Sequence, residues 1–255
     1  MKTAICVMIK DENDYLDEWL DYHLNLGIDE IYLYEDYDSK SHLDIVKPYG
    51  NKVHLNSINV IFEKNKKLMG INNQEKLFYW FPIEYKNIDW VLFIDVDEFL
   101  ILKQPLQDLL EEYKNETAIL LRWVWYGASG HINKPVGKVM DNFTKNVTTL
   151  YDYHWSFKSF LNCKNFKKWE KPIHKVEGGV YPLYDWGGHK AFIKHYFTKS
   201  WEEWKTKVLS RGDCSIGHRK VYDFFKLNPD MLHLKEQLMS EVTEIYKGEK
   251  KEKEV

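Results

Sequence analysis

Strand-like and helix-like segments alternate through residues 1–125, and this alternation limits the chain to an α/β architecture with a mostly parallel sheet. Residues 4–9, Ala-Ile-Cys-Val-Met-Ile, form an apolar run of strand length. Between Asp14 and Gly27, the side chains Leu16, Trp19, Leu20, His23 and Leu24 recur at three- and four-residue steps, the period of an amphipathic helix. Asn13 or Asp14 is placed to cap its start and Gly27 to stop it. Residues 28–34 form a second strand, so the opening is a parallel pair joined by a helical crossover. The pattern then predicts a strand within 51–61, a helix over 72–86 with Leu77, Phe78 and Phe81 inward, a strand over 90–97, a helix over 105–114 and a strand over 118–123. From Tyr126 the rhythm breaks into Gly, Trp, Tyr and His clusters, and helices return at 200–210 and 219–247. With no Gly/Ser or Pro linker, residues 1–247 read as a single domain of two halves, 1–125 and 126–247, followed by a charged tail, 248–255.

Trp90-Val-Leu-Phe-Ile94 leads directly into Asp95-Val96-Asp97-Glu98-Phe99, an apolar strand ended by three carboxylates. If the strand persists through Asp97, the Asp95 and Asp97 side chains share one face, roughly 6–7 Å apart. They then stand at the carboxyl end of the sheet, where open α/β sheets bind ligands. Two hard oxygen ligands there suit Mg²⁺ or Mn²⁺, ions that commonly bring substrate phosphates with them. A solvated acidic turn is the structural alternative. Glu35-Asp36-x-Asp38-Ser39, at the end of the second strand, is placed to accept from a nucleobase or a ribose hydroxyl, or simply to form an Asx turn.

In the second half, Trp123-Val-Trp125-Tyr126-Gly127-Ala-Ser-Gly130-His131 combines aromatics with glycines that permit close backbone approach to a ligand or a plain bend. His195 ends a strand-like run, and Ser200-x-x-Glu203 is a capping box opening a helix that carries Lys207 and leads to Arg211. A histidine at a strand end followed by Lys199, Lys207 and Arg211 fits a metal ligand beside a diphosphate, or an ordinary basic face.

Composition narrows the classes further. A net charge of −3 over 255 residues gives no basic excess, so no nucleic-acid partner is expected. The aromatic share of 16%, with 10 Trp and 17 Tyr, fits either a large aromatic core or a sugar-stacking surface. Cys6, Cys163 and Cys214 are scattered and form no zinc pattern, which fits a reducing compartment. The N-terminal apolar stretch is short for a signal peptide and no run has membrane-spanning length, so the expected location is cytoplasmic, with peripheral membrane association left open. Phosphate-loop, dinucleotide-fingerprint and nucleophile-elbow motifs are missing.

Taken in order, Ile9-Lys10-Asp11-Glu12, Tyr15-Leu-Asp-Glu-Trp-Leu-Asp-Tyr-His23, Leu26-Gly-Ile-Asp29, Tyr34-Glu-Asp36, Trp90–Phe99, Tyr126-Gly-Ala-Ser-Gly-His131, Lys171-Pro-Ile-His174 and His195-Tyr-x-x-Lys-Ser200 resemble the family 2-like and family 92-like glycosyltransferases, over roughly residues 4–215. The resemblance implies a GT-A fold: a Rossmann-like α/β/α sandwich with an irregular acceptor-side half. It implies transfer of a sugar from a nucleoside-diphosphate sugar, a UDP-sugar first, to a hydroxyl of a glycan or glycolipid, as in polysaccharide biosynthesis. Mn²⁺ or Mg²⁺ would be held by Asp95 and Asp97 of the Asp-x-Asp motif and by His195. Donor contacts would come from Lys10, Glu12, Glu35, Asp36, Asp95, Lys199 and Arg211. The proton acceptor would be Asp213 first, with Glu98, Asp152 and Asp185 also in play. Strand two ends Glu-Asp where the family pattern more often has Asp-Asn or Asp-Asp, which leaves the base preference open. A nucleotidyltransferase on a similar sheet, or a non-catalytic carbohydrate-binding protein, are the competing readings.

Overall fold

The computed structural model describes residues 1–36, 39–59, 73–147, 157–171, 174–183, 188–209, 221 and 223–242. The chain falls into two compact units, Met1–Val124 with His154–His195, and Trp125–Tyr153 with Tyr196–Val255. The first unit is thus not one continuous stretch: the chain leaves after residue 124 and re-enters for 154–195.

The elements follow in order: β1 (Thr3–Ile9), α1 (Leu16–Asn25), β2 (Glu30–Glu35), α2 (Leu43–Val46), a 3₁₀ turn, β3 (Val53–Ser57), α3 (Asn73–Glu84), β4 (Trp90–Phe93), β5 (Glu98–Leu102), α4 (Leu106–Glu112), β6 (Ala118–Trp125), α5 (Val139–Asn142), β7 (Phe157–Asn162), β8 (Trp169–Lys171), β9 (Lys175–Val176), β10 (Ala191–His195), α6 (Trp201–Leu209) and α7 (Asp223–Leu227). Residues 235–242 are also helical. Among the described residues, eight strands form one sheet in the order β3-β2-β1-β4-β7-β6-β10-β5, and β8 pairs with β9 separately.

The expected α/β fold is present, with a parallel block of four adjacent strands in its sheet. β3, β2, β1 and β4 run parallel, whereas β7 is antiparallel to both β4 and β6, and β10 is antiparallel to β5. A parallel pair needs a crossover, while an antiparallel return does not. The connections β1–β2, β2–β3 and β3–β4 each carry a helix.

The expected strand over 90–97 is a shorter strand, Trp90–Phe93, and a turn that leads into β5. β4 stops at Phe93, and the Glu98 N–H donates to the Asp95 carbonyl at 3.0 Å. The Glu98 carboxylate accepts the Asp95 N–H at 2.9 Å, so a side chain replaces the ladder partner and ends the strand. Asp95 and Asp97 are therefore turn residues rather than neighbours on one strand face.

The helix read at 14–27 begins at Leu16, and neither Asn13 nor Asp14 caps it: Tyr15 holds the N-cap position with no side-chain bond, and the Asn13 amide donates to the Ser41 carbonyl. Gly27, at φ +108°, ends the helix as expected, in a conformation that costs glycine little.

The inner face of α1 closes the sheet. β5 is an edge strand, and unpaired edge groups are a liability. Trp19 Nε1 donates to the Glu98 carbonyl (2.7 Å), the Tyr22 hydroxyl to the Leu100 carbonyl (2.8 Å), and the Leu100 N–H to His23 Nε2 (3.2 Å). Three side chains thus take the place of a ninth strand.

Aromatic residues chiefly fill the core. Leu77, Phe78 and Phe81 of α3 point inward, as their spacing predicts, and Phe78 lies 4.2 Å from Phe93, centroid to centroid. Of the described tryptophans, Trp19, Trp80, Trp90, Trp169, Trp201 and Trp204 are buried, which leaves Trp123 and Trp125 partly exposed. Among the described residues, no helix is long and apolar enough to cross a membrane.

In the second unit, the capping box forms as the sequence predicts. Ser200 Oγ donates to Glu203 Oε2 at 2.6 Å, and the Glu203 N–H donates back to Ser200 Oγ at 3.3 Å. Ser200→Ala is expected to lower stability by about 1 kcal/mol, read from the urea midpoint.

Candidate active site

The carboxyl ends of β1, β2 and β4 lie along one edge of the sheet, because the three strands are parallel and adjacent. β7 is antiparallel to β4, so its first residues, Phe157 and Lys158, arrive at that same edge. β10 ends there too, with His195 paired in register to Glu98, the first residue of β5. Directly opposite residues of an antiparallel pair project to the same face, which brings His195 and Glu98 together.

Two linked clusters result. In the first, Asp95 Oδ1 accepts from the Gln74 amide at 2.9 Å and Asp95 Oδ2 from Lys158 Nζ at 2.7 Å. Lys158 Nζ also lies 3.3 Å from Glu98 Oε2. The Lys158 and Glu98 side chains are 1% and 0% exposed, while Asp95 keeps 38% of its surface open. Burial alone would drive the Lys158 ammonium toward neutrality, but Asp95 and Glu98 outweigh it and raise its pKa. Burial also pushes the Glu98 carboxyl well above the ordinary range, against the pull of Lys158 and with the push of Asp95 and Asp97. The shorter contact, to the half-open Asp95, is the one that carries the ion pair.

In the second cluster, His195 Nε2 stands 3.6 Å from Asp97 Oδ1, and His195 Nδ1 is 3.9 Å from Glu98 Oε1. Both separations exceed a hydrogen bond. An imidazole nitrogen and a carboxylate oxygen at this spacing have room for one cation bonded at about 2.0–2.2 Å to each. Among the described residues, no group of three or more His, Cys, Asp or Glu is arranged to hold a metal. The donor set therefore fits a cation completed by substrate phosphate and water, the usual arrangement for Mg²⁺, and does not form an all-protein cage. Trp123 flanks this cluster, with its ring 4.6 Å from that of His195, 5.6 Å from that of His174 and 5.7 Å from Lys158 Nζ.

The end of β2 is organised by a residue the sequence reading passed over. The His42 N–H and His42 Nδ1 both meet Glu35 Oε1 at 2.8 Å, while the Glu12 N–H donates to His42 Nε2 at 3.1 Å. Nε2 accepts, so Nδ1 carries the proton and donates to Glu35. Asp36 continues the ladder, its N–H donating to the Ile9 carbonyl at 3.0 Å. Asp11, which follows Lys10, sits at φ +53°, with its N–H on Ser39 Oγ and its carboxylate on the Lys40 N–H. The turn after β1 is thereby tied to the turn after β2.

Of the remaining expected residues, Lys199 belongs to the second unit, at φ +52° just before the Ser200 cap. Arg211, Asp213, Asp152 and Asp185 lie outside the described residues. In the Gly127–Gly130 stretch, a Cβ on Gly127 would meet Asn228 Oδ1 at 2.4 Å and the Leu227 carbonyl at 3.1 Å. Asn228 is buried, accepts from the Ala128 N–H and donates to the Phe224 carbonyl, so it has little freedom to yield. Close packing against Asn228 accounts for this glycine. Gly127→Ala should cost about 1–3 kcal/mol by overpacking, measured by chemical unfolding.

Lys158, Gln74 and His42 escaped the sequence reading. The one local sign of Lys158 was a lone lysine inside the apolar run Phe157-Lys-Ser-Phe-Leu161. Gln74 and His42 left no comparable trace.

An α/β sheet with acids and a histidine gathered at its strand ends is the framework of many nucleotide-dependent transferases. The model of glycosyltransferase family 92 matches residues 2–226, and the chain belongs to that family. A glycosyltransferase family 92 protein of Oryza sativa subsp. japonica is 26% identical over 221 residues, which cover 82% of this chain and 35% of that protein. One from Ricinus communis is 30% identical over 223 residues, 82% of this chain and 37% of that protein. The chain thus spans little more than a third of the length of the curated relatives it matches. Among solved structures, glucosyl-3-phosphoglycerate synthase from Mycobacterium tuberculosis with Mg²⁺ and uridine diphosphate aligns over 64% of this chain and 57% of its own, at 14% identity and a TM-score of 0.37. Mouse xyloside xylosyltransferase 1 aligns over 64% and 67%, at 12% identity and 0.33.

Proposed function

We propose that this chain is a metal-dependent glycosyltransferase that moves a sugar from a nucleoside-diphosphate sugar, a UDP-sugar first, to a hydroxyl of a glycan or glycolipid. The observation that carries this reading is the Asp97–His195 pair at the strand-end edge, 3.6 Å apart and beside the buried Lys158. Asp97 and His195 hold the cation, Mn²⁺ or Mg²⁺. When bound, the cation supplies charge stabilisation to the departing diphosphate. Glu98 has no exposed surface for a substrate to reach, so it positions His195 and Lys158 rather than acting on the acceptor. Trp123, partly exposed beside His195, offers an apolar face for a sugar ring.

The tied turns after β1 and β2, with Lys10, Glu12, Glu35 and Asp36, form the nucleotide end. The His42 clasp on Glu35 supports that placement, because it fixes one carboxylate oxygen and leaves the other for a ribose or base. Lys199 and Arg211 are assigned to the diphosphate from their spacing after His195, and Asp213 to the acceptor proton because it follows that basic segment.

A panel of UDP-, GDP- and CMP-sugars with Mn²⁺ tests the proposal. Metal-dependent release of free nucleotide from one donor is the expected result. Pyrophosphate-dependent exchange would instead favour a nucleotidyltransferase. Donor binding without turnover, even with glycan and glycolipid acceptors supplied, would favour a carbohydrate-binding protein.

A further inference from the structure

We propose that Lys158 is a positioning residue: it commits Asp95 to a buried ion pair and thereby leaves Asp97 and His195 as the two protein ligands of the cation. This deepens the reading above and rests on it. In an Asp-x-Asp turn, both carboxylates are in principle available to a divalent ion. Here they are divided. Asp95 has one oxygen on Gln74 at 2.9 Å and the other on Lys158 at 2.7 Å, so each has a donor in place.

The division is built into the fold. Lys158 enters from β7 because that strand is antiparallel to β4, and Gln74 enters from the first turn of α3. Glu98 closes the arrangement from below. Its Oε2 takes the Asp95 N–H at 2.9 Å and lies 3.3 Å from Lys158 Nζ, holding the ammonium against Asp95. A cation that recruited Asp95 would strip a fully buried ammonium of its shorter carboxylate contact, which is costly for a buried charge. Asp97 points the other way, to His195. The ion so held has one oxygen and one nitrogen from the protein, a set that favours Mn²⁺ over Mg²⁺, since imidazole suits transition metals better than Mg²⁺.

The test is Mn²⁺ binding to the full chain without donor, read by the loss of free Mn²⁺ signal in electron paramagnetic resonance. Asp97→Asn should weaken binding at least about tenfold, as loss of a ligand does. Asp95→Asn should change it less than about twofold. Lys158→Met removes a nearby positive charge and frees Asp95 as a third ligand, so it should tighten binding by about tenfold. Lys158→Met paired with Glu98→Gln keeps the buried site neutral, and serves if the single variant does not fold by circular dichroism. A purely structural lysine would leave affinity unchanged or weaken it. The proposal is overturned if Asp95→Asn costs as much affinity as Asp97→Asn, or if the folded Lys158 variant fails to bind more tightly. Loss of neither Asp97 nor His195 affecting Mn²⁺ would instead overturn the metal site itself, a separate outcome.

Discussion

Asp97→Asn is expected to lower Mn²⁺-dependent turnover of the nucleotide-sugar by about a hundredfold or more, equivalent to a barrier about 3 kcal/mol higher. The asparagine keeps the shape of the side chain and so preserves the turn between β4 and β5. It gives up the negative charge, and with it the stronger of the two donors that meet at 3.6 Å. His195→Ala should act in the same direction, with its effect concentrated in the metal requirement: half-maximal activation should need about tenfold more Mn²⁺. The backbone pairing of His195 with Glu98 survives the truncation, so the melting temperature should stay within a few degrees of the parent. Full turnover in Asp97→Asn, or an unmoved Mn²⁺ titration in His195→Ala, would remove that residue from the site.

The sequence made some of this visible and hid the rest for physical reasons. Elements whose cause is local were legible. The inner stripe of α1, the Leu77-Phe78-Phe81 face of α3, the Gly27 stop and the Ser200–Glu203 box each depend on residues within one or two turns. The acids at 95–98 were legible as a strand-end cluster, and His195 as the end of another strand. What joins them was not. His195 meets Asp97 because β10 pairs with β5 in one register, across nearly a hundred residues of sequence.

Pairing direction was hidden as well. An apolar run such as 157–161 reads the same whether it enters a sheet parallel or antiparallel, so the antiparallel entry of β7 is invisible to periodicity. Lys158 was the costliest omission. On a strand, a lone lysine between apolar neighbours reads as a solvent-facing position. Its burial makes sense only with Asp95 and Glu98 in place, some sixty residues away. The end of β4 was misread for a related reason: the Glu98 carboxylate that takes the Asp95 N–H is side-chain chemistry that no hydrophobic pattern encodes.

Acid is expected to loosen the edge of the sheet through His23, which is buried between α1 and β5. Its Nε2 accepts the Leu100 N–H at 3.2 Å, so the proton sits on Nδ1, which donates to the Trp19 carbonyl at 2.8 Å. The ring has Phe99 5.7 Å away in a stacked arrangement and Trp19 at 4.5 Å. Burial pushes its pKa down from 6.5 to about 3, opposed only by the bond to Trp19. In the unfolded chain the histidine takes up a proton near pH 6.5, whereas the folded chain declines it until about pH 3. Stability from this residue is therefore complete above pH 6.5, falls as the pH drops, and is lost by pH 3. At about 1.4 kcal/mol per pH unit, the His23 contribution to the loss between pH 7 and pH 4 is about 3 kcal/mol. Protonation of Nε2 would also turn it from acceptor to donor and break its bond to Leu100, releasing the strand that begins with Glu98. Urea unfolding at pH 7, 5.5 and 4 measures the loss, and His23→Phe supplies the control. The phenylalanine variant starts lower, by about 1–3 kcal/mol for the unpaired Leu100 N–H. It should also lose about 3 kcal/mol less than the parent over the same pH range, since the carboxylates that titrate there are common to both. Parallel pH profiles for the two proteins would show that His23 does not carry the acid sensitivity.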